Sequence, residues 1–336
     1  MSKATINDVA RLAGVSIKTV SRVINNEPNV SDSTREKVRV VVEQLDYRPS
    51  PSARRLASNR SFLIALLYDN PSANYIMNVQ QGVLDSCKEH SYDLLIHPCD
   101  YQADDLDKEI GMLLRKSRVD GVILTPPLSD MNSVIDVLKE QSVPYSLVAP
   151  TTHDNDQSSV YCDDEKAAFQ MTEYLISQGH KKIGFVEGHP NHGASKKRLC
   201  GFEKALEKNK ITIPQDYIQK GFFDHESGMN AGRAILQLDD KPSVIFASND
   251  DMAAGVIHAA NSLEIKVPQE LSVVGFDDSP VSTQLWPPLT TIKQPIEAMA
   301  HRASDLLLDS LKGVKNEETH SFDCELIMRR SVIRYS

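Results

Sequence analysis

The sequence predicts two kinds of structure in one chain: an all-α helix-turn-helix head, and an α/β body of two doubly wound parallel-sheet subdomains. Three observations predict it. Residues 5–47 hold three short helical patterns with no strand-like run among them. From Phe62 onward, apolar runs of strand length alternate with amphipathic helical segments, and this βαβ rhythm occurs twice. The charge divides at the same place: residues 1–60 carry eleven Lys and Arg against six Asp and Glu, leaving 26 against 40 in the rest of a chain whose net charge is −9. A basic head on an acidic body implies a polyanion met by the head alone.

Thr5 is placed to cap a first helix, "INDVARLA", which stops at Gly14. Ser16 caps a second helix running to about Asn25, and Pro28 ends it. Ser31 or Ser33 opens a third, with Val38, Val41, Val42 and Leu45 on its buried side. Only "AGV" separates the first two helices; Ala10 permits their close approach and Gly14 tolerates a positive φ. On the second helix Val20, Val23 and Ile24 point inward, which puts Ile17, Lys18, Ser21, Arg22 and Asn25 on the opposite face. Lys18 and Arg22 can donate to guanine O6 and N7, and Ile17 can touch a thymine methyl. The same face also reads as the solvated side of a small helical domain that meets no DNA.

In the body, "FLIALLYD" precedes a helix from about Tyr75 to Glu89, "YDLLIHPC" one around Leu106–Lys116, and "GVILTPP" one around Asn132–Glu140. After "SSVYCD" come helices near Lys166–Ser177, Ser195–Lys208 and Ser227–Leu238, with "KIGFVEG" between the first two. "SVIFASND" leads into a helix around Met252–Ser262, and "LSVVGFDD" follows. Open parallel sheets bind ligands beyond the carboxyl ends of their strands, so two facing sheets form a cleft there. Asn249, Asp277 and Arg198 fall at such ends, with Phe223 and Tyr75 in neighbouring loops. Carboxylate, amide and guanidinium suit vicinal hydroxyls, and aromatic faces suit a sugar's C–H surface. Each has a plainer reading: Asn249 and Asp277 as caps of helices or turns, Arg198 as a surface ion pair, Phe223 and Tyr75 as core.

The segments "TINDVARLAGVSIKTVSRVIN" and "VSDSTREKVRVVVEQLDYRPSPSARRLA" resemble the LacI/GalR family of bacterial transcription regulators, as do "RLCGF", "FASNDDMAAG" and "VVGFDD" in the body. The resemblance implies a periplasmic-binding-protein-like body. It implies that Ile17, Lys18 and Arg22 read operator bases and that Thr5, Ser16, Thr19, Ser21, Asn25 and Ser31 hold backbone phosphates. It places Arg198, Asn249 and Asp277 at effector-contacting positions, with Tyr75, Ile76 and Phe223 at less specific cleft-wall positions. "RPSPSARRLASNR" would be a hinge helix that orders on operator DNA. Ser50 and Pro51 suit its start, and Ala53, Leu56 and Ala57 form one apolar face. About nine residues do not sustain a lone helix in water. By the resemblance Leu56 wedges into the minor groove, Ala53 lies near base edges, and Arg54 and Arg55 reach phosphates.

The expected limits are 1–49 for the head, 50–60 for the hinge and 61–336 for the body. Within the body, one subdomain takes about 61–161 plus 292–323, and the other about 162–291 plus 324–336. The expected function is that of a sequence-specific DNA-binding repressor, a homodimer on a palindromic operator, controlled by a sugar or sugar derivative. The alternative is a sugar-binding protein or enzyme of the same body fold that does not act on DNA.

Other classes find little support. "MSKATIND" lacks a signal peptide's apolar run, and "FLIALLY" is too short to span a bilayer. The five cysteines form no CxxC pair, which suits reduced thiols in a cytoplasm. No GxSxG, GxxxxGK[ST], HExxH or GxGxxG occurs, so neither enzyme nor cofactor is expected. His189-x2-His192 has no further ligands at suitable spacing, and no metal site is read from it. Lys196 and Lys197 beside Arg198 leave two effector classes open: an anionic sugar derivative, or a neutral one with both lysines in water. No apolar heptads follow the last strand-like run, "ELIMRRSVI", which favours a dimer over a tetramer. Trp286, the single tryptophan, is expected to report effector binding.

Overall fold

The computed structural model describes residues 4–24, 29–47, 60–152, 158–314 and 319–335. The chain forms two compact units that divide between Ser61 and Phe62. Among the described residues no helix is long and apolar enough to cross a membrane.

The first unit holds α1 (Ile6–Ala13), α2 (Ile17–Ile24) and α3 (Asp32–Gln44). A capping box starts α1. The Asp8 amide reaches the Thr5 hydroxyl at 3.4 Å, while the Thr5 amide and hydroxyl donate to Asp8 Oδ2 at 3.0 and 2.7 Å. The Thr5 hydrogen bonds hold the Asp8 carboxyl below its ordinary range. Gly14 ends α1 at φ +65°, a left-handed conformation that costs other residues about 1 kcal/mol, and its amide closes on the Ala10 carbonyl. Ser31, not Ser33, caps α3, accepting the Thr34 amide at 3.3 Å. Val9, Val20 and Val38, one from each helix, are fully buried and define a small core with Ala10, Val23, Val41 and Tyr47.

The second unit contains two parallel sheets. One orders its strands β11–β5–β4–β3–β1–β2, with β1 (Leu63–Tyr68), β2 (Asp93–Pro98), β3 (Gly121–Leu124), β4 (Tyr145–Val148), β5 (Ser159–Cys162) and β11 (His320–Phe322). The other orders β7–β6–β8–β9, with β6 (Ile183–Val186), β7 (Ile218–Gln219), β8 (Val244–Ala247) and β9 (Ser272–Val274). An antiparallel pair, β10 (Thr291–Lys293) with β12 (Glu325–Ile327), lies beside the second sheet, bridged to it at Val274–Thr290 and Asp277–Lys293. The chain therefore passes between the sheets three times: after Cys162, after Lys293 and after Phe322. Apolar runs such as "VIFA" in β8 are buried on both faces, as parallel strands covered by helices must be.

The helices are α4 (Ala73–Glu89), α5 (Leu106–Ser117), α6 (Asn132–Glu140), α7 (Asp164–Ser177), α8 (Gly193–Lys208), α9 (His225–Leu236), α10 (Asp250–Ser262), α11 (Val281–Gln284) and α12 (Ile296–Leu311). Five of them (α4, α7, α8, α9 and α10) start two residues before the point the sequence suggests. In four the reason is a side-chain cap. Ser72, Asp163, Asp224 and Asn249 accept the amides of Tyr75, Lys166, Ser227 and Met252, so the helix is already under way before its apolar pattern begins. The strand-led reading places no helix at α12. That helix buries Ile296, Met299, Ala300, Ala303 and Leu307 against the first sheet and α4. The run "ELIMRRSVI" is strand only over Glu325–Ile327.

Candidate functional site

On the first unit, the face of α2 opposite its core carries the residues singled out above. Ile17 is 49% exposed, Ser16 and Lys18 are exposed, and Thr19, Ser21 and Arg22 are half-buried. Ser16 takes the Thr19 amide at 3.1 Å and pairs with the Thr19 hydroxyl at 2.9 Å, so both residues start the helix as well as facing outward. Thr5 and Ser31 are caps of α1 and α3. The three helix starts bring hydroxyls together with first-turn amides that have no intrahelical partner, a combination suited to phosphate oxygens. Asn25, Ala53, Arg54, Arg55 and Leu56 lie outside the described residues.

In the second unit a cleft opens between the carboxyl ends of the two sheets, where open parallel sheets bind their ligands. Tyr75, Arg198, Phe223, Asn249 and Asp277 line it; Ile76 does not. Successive helical residues diverge by about 100°, so with Tyr75 directed into the cavity its neighbour Ile76 turns away and is buried. The sequence reading missed Asn70, Ser72, Asp164, His192 and Gln294, which also line the cavity. Asp164 follows a strand end as Asn249 does, and the same rule finds it.

Arg198 is the centre of the site. Its Nε donates to Asp164 Oδ1 at 2.8 Å, its Nη1 donates to the Ser248 carbonyl, and Nη1 lies 3.8 Å from Asp277 Oδ1. The guanidinium carbon sits 3.7 Å from the centre of the Phe276 ring. Burial alone would lower the Arg198 pKa, but Asp164 and Asp277 outweigh it and keep the guanidinium charged. Asp277 is pushed up to about 7 by burial, against the opposing pull of Arg198 and of Gln294, whose Nε2 donates to Oδ1 at 2.6 Å. Gln294 in turn accepts the Cys162 thiol at 3.0 Å. Asp277 holds φ +109° and caps no helix.

Asn249 is where the plainer reading of the sequence wins most. Its Oδ1 caps α10 through the Met252 amide at 2.9 Å and its Nδ2 donates to the Phe223 carbonyl at 2.9 Å, leaving one N–H for a ligand. Phe223, at φ +63°, packs its ring edge-on to His192 at 5.5 Å. A Cβ on Gly188 would lie 2.2 Å from that ring, so only glycine lets Phe223 sit where it does. Burial lowers the His192 pKa to about 3, with His189 and Arg198 adding to the effect, so His192 is a neutral wall. Burial raises the Tyr75 phenol, which stays protonated as a donor. Lys196 is exposed and Lys197 half-buried on α8, and neither lines the cavity. Trp286 is 80% exposed and also stands apart from it.

The walls meet across the cavity. Ser72 of α4 donates to Asp251 of α10 at 3.0 Å, and Asn191 donates to the Tyr101 hydroxyl at 2.7 Å. Buried fixed dipoles, one guanidinium shared by two carboxylates and flanking aromatic faces make a binding site for a polar molecule. Among the described residues they include no nucleophile–base pair.

Residues 5–50 match the family model described as "Bacterial regulatory proteins, lacI family", and residues 172–332 that described as "Periplasmic binding protein-like domain". Catabolite control protein A of Priestia megaterium is 36% identical over 309 residues, covering 90% of this chain and 91% of that protein. Among solved structures, the lac repressor dimer bound to operator and the anti-inducer ONPF aligns with a TM-score of 0.78 at 27% identity, over 99% of this chain and 100% of that one. The transcriptional regulator CelR–cellobiose complex aligns with a TM-score of 0.75 at 28% identity, over 98% of this chain and 99% of that one.

Proposed function

The chain belongs to the lacI family of bacterial regulatory proteins and is a DNA-binding transcriptional regulator, and from that premise we propose that it is a cytoplasmic repressor whose operator binding is set by an uncharged sugar or related polyol. The observation that carries the ligand class is the charge of the cavity. Among the described residues its one lining cation, Arg198, already faces the carboxyl groups of Asp164 and Asp277, and Lys196 and Lys197 lie apart from it. An anionic effector would meet a guanidinium already paired with the Asp164 carboxylate, with the part-protonated Asp277 beside it. A neutral polyol takes the remaining Asn249 N–H, the Tyr75 hydroxyl and the carboxylate oxygens, with Phe223 against its C–H surface.

Residues 1–49 serve as the reading head, 50–60 as the hinge, and 61–336 as the effector-binding and dimerising body, in a homodimer on a pseudo-palindromic operator. Ile17, Lys18 and Arg22 meet base edges; Thr5, Ser16, Thr19, Ser21, Asn25 and Ser31 meet phosphates. Ala53 and Leu56 enter the minor groove, flanked by Arg54 and Arg55. The exposure of Ile17 and Lys18 and the hydroxyl caps at three helix starts support this assignment. An effector acts by preferring one arrangement of the two sheets over another, since equal affinity for both would shift nothing.

The test is fluorescence anisotropy of a labelled palindromic duplex with the full chain at moderate salt, screened against neutral sugars, sugar acids and sugar phosphates. The expected result is DNA binding altered by neutral sugars alone. A response only to anionic compounds overturns the ligand class, and failure to bind any palindromic duplex overturns the operator reading.

A further inference from the structure

Outside the cavity, three chemically unlike side chains converge at the carboxyl end of β2. His97 is the last residue but one of that strand and Cys99 follows it by one alternation, so both side chains take the same face of the sheet, the one α5 covers. Glu109 lies in the first turn of α5, between the buried Leu106 and Ile110 that anchor the helix. The Nε2 atom of His97 is 2.6 Å from Glu109 Oε1. One ligand atom from each of the three residues lies within 4.8 Å of the others.

We propose that His97, Cys99 and Glu109 form a binding site for a divalent transition metal ion of the zinc class, with one coordination position left open. The donors are an imidazole nitrogen, a thiolate sulfur and a carboxylate oxygen. This set selects zinc, cobalt and their neighbours over magnesium or calcium, which require several oxygens. Three protein ligands and a fourth open position describe an exchangeable site rather than a structural one. A surface ion pair would account for His97 and Glu109 alone. It does not involve Cys99, which is 9% exposed at the edge of the core under α5 and whose thiol lies 3.8 Å from the His97 carbonyl. His97 and Glu109 side chains are 26% and 39% exposed, which gives the ion a way in.

Loading requires the ion to displace the Cys99 proton. The thiol passes its proton to solvent as the metal–sulfur bond forms, so loading releases one proton per ion. The Glu109 carboxylate, 2.6 Å from His97, favours a dication beside it. The site also stands at the root of the loop carrying Tyr101, which accepts the Asn191 hydrogen bond and packs its ring edge-on to His189 at 6.0 Å. An ion that ties β2 to α5 therefore fixes one end of a contact between the two walls of the effector cavity. Spacing along the sequence does not reveal the set, because the third ligand comes from a helix that only folding brings beside the strand.

The full chain, kept reduced, is titrated with Co²⁺ and then Zn²⁺. The expected result is one Co²⁺ per chain with a near-ultraviolet thiolate-to-cobalt charge-transfer band, which Zn²⁺ abolishes by displacement. Cys99→Ser removes the band, His97→Gln and Glu109→Gln each weaken Zn²⁺ binding roughly tenfold or more, and Cys200→Ser, at a partly exposed thiol elsewhere, leaves the band unchanged. Absence of a stoichiometric band in the wild-type chain overturns the site, as does a band that persists in Cys99→Ser. If Cys99→Ser does not fold, His97→Gln decides, and unchanged Zn²⁺ affinity in that variant overturns the proposal.

Discussion

Gln294 donates its side-chain amide to Asp277 at 2.6 Å, joining the strand crossing after β10 to the loop after β9. The same Gln294 accepts the thiol of Cys162, which lies at the crossing after β5. Asp277 in turn faces Arg198. The charge centre of the cavity is thus hydrogen-bonded to two of the three segments at which the chain crosses between the sheets. Under the proposed function, a ligand that draws on Arg198 or Asp277 should alter the bonds at those crossings, which would be the differential interaction that linkage requires.

Asp277 makes stability depend on pH in a direction opposite to that of an ordinary carboxylate. Its folded value is raised to about 7, so the folded chain holds the proton more tightly than the unfolded one. The stabilisation is complete below about pH 4 and is lost as pH rises through about 7. Relative to Asp277→Asn, the wild-type chain should lose up to about 1.4 kcal/mol per pH unit across that window. Urea unfolding at several pH values from 5 to 8 reads the difference, and a flat difference would place the carboxyl at its ordinary value.

Arg198→Met leaves Asp164 and Asp277 facing each other in a buried site. Removing one partner of such a set costs about 3–5 kcal/mol. The body's denaturation midpoint should fall accordingly, and the DNA-bound anisotropy should no longer respond to effector. Arg198→Lys keeps the charge but not the fork that reaches Asp164 and the Ser248 carbonyl together, so it should lose stability to a smaller extent.

Ser72→Ala removes the hydroxyl that reaches Asp251 across the cavity and also caps α4. The cap alone is worth about 1 kcal/mol. Ser72→Asn restores a cap without the same reach to Asp251. Effector affinity should drop roughly tenfold in both variants and thermal stability only in the first, a split that calorimetry and thermal melts resolve. Equal affinity in Ser72→Asn would remove the cross-cavity bond from the mechanism.

Thr5→Ala breaks the capping box with Asp8 and should destabilise the head by about 1 kcal/mol, because each side chain caps the other's amide. Circular dichroism of the full chain should show an earlier loss of a small helical component, with the body's transition unmoved.

Leu56→Ala should weaken operator binding about tenfold or more while leaving effector affinity nearly intact, if its side chain wedges between base steps. Anisotropy with and without effector measures both. Unchanged operator affinity would end the wedge assignment.

Much of this protein was determined by the sequence alone, because its cues are local. Thr5, Gly14 and Ser31 set helix ends through bonds to residues three or four positions away, and Val9, Val20 and Val38 mark the core through helical spacing. The alternation of strand and helix in the body follows from runs only four to six residues long in strands such as β8 and β1. Even α12 is legible, in the spacing of Ile296, Met299, Ala300, Ala303 and Leu307. Tertiary structure alone decided the chemistry of the cavity. Arg198 takes one carboxylate 34 residues before it and faces another 79 residues after it, and Gln294 arrives from the crossing after β10. Whether a guanidinium is free to bind an anion, an asparagine is spent on a cap, or a histidine, a cysteine and a glutamate meet at one point depends on distances between distant segments. Sequence fixes which groups exist, and packing of the two sheets fixes which charges are already neutralised.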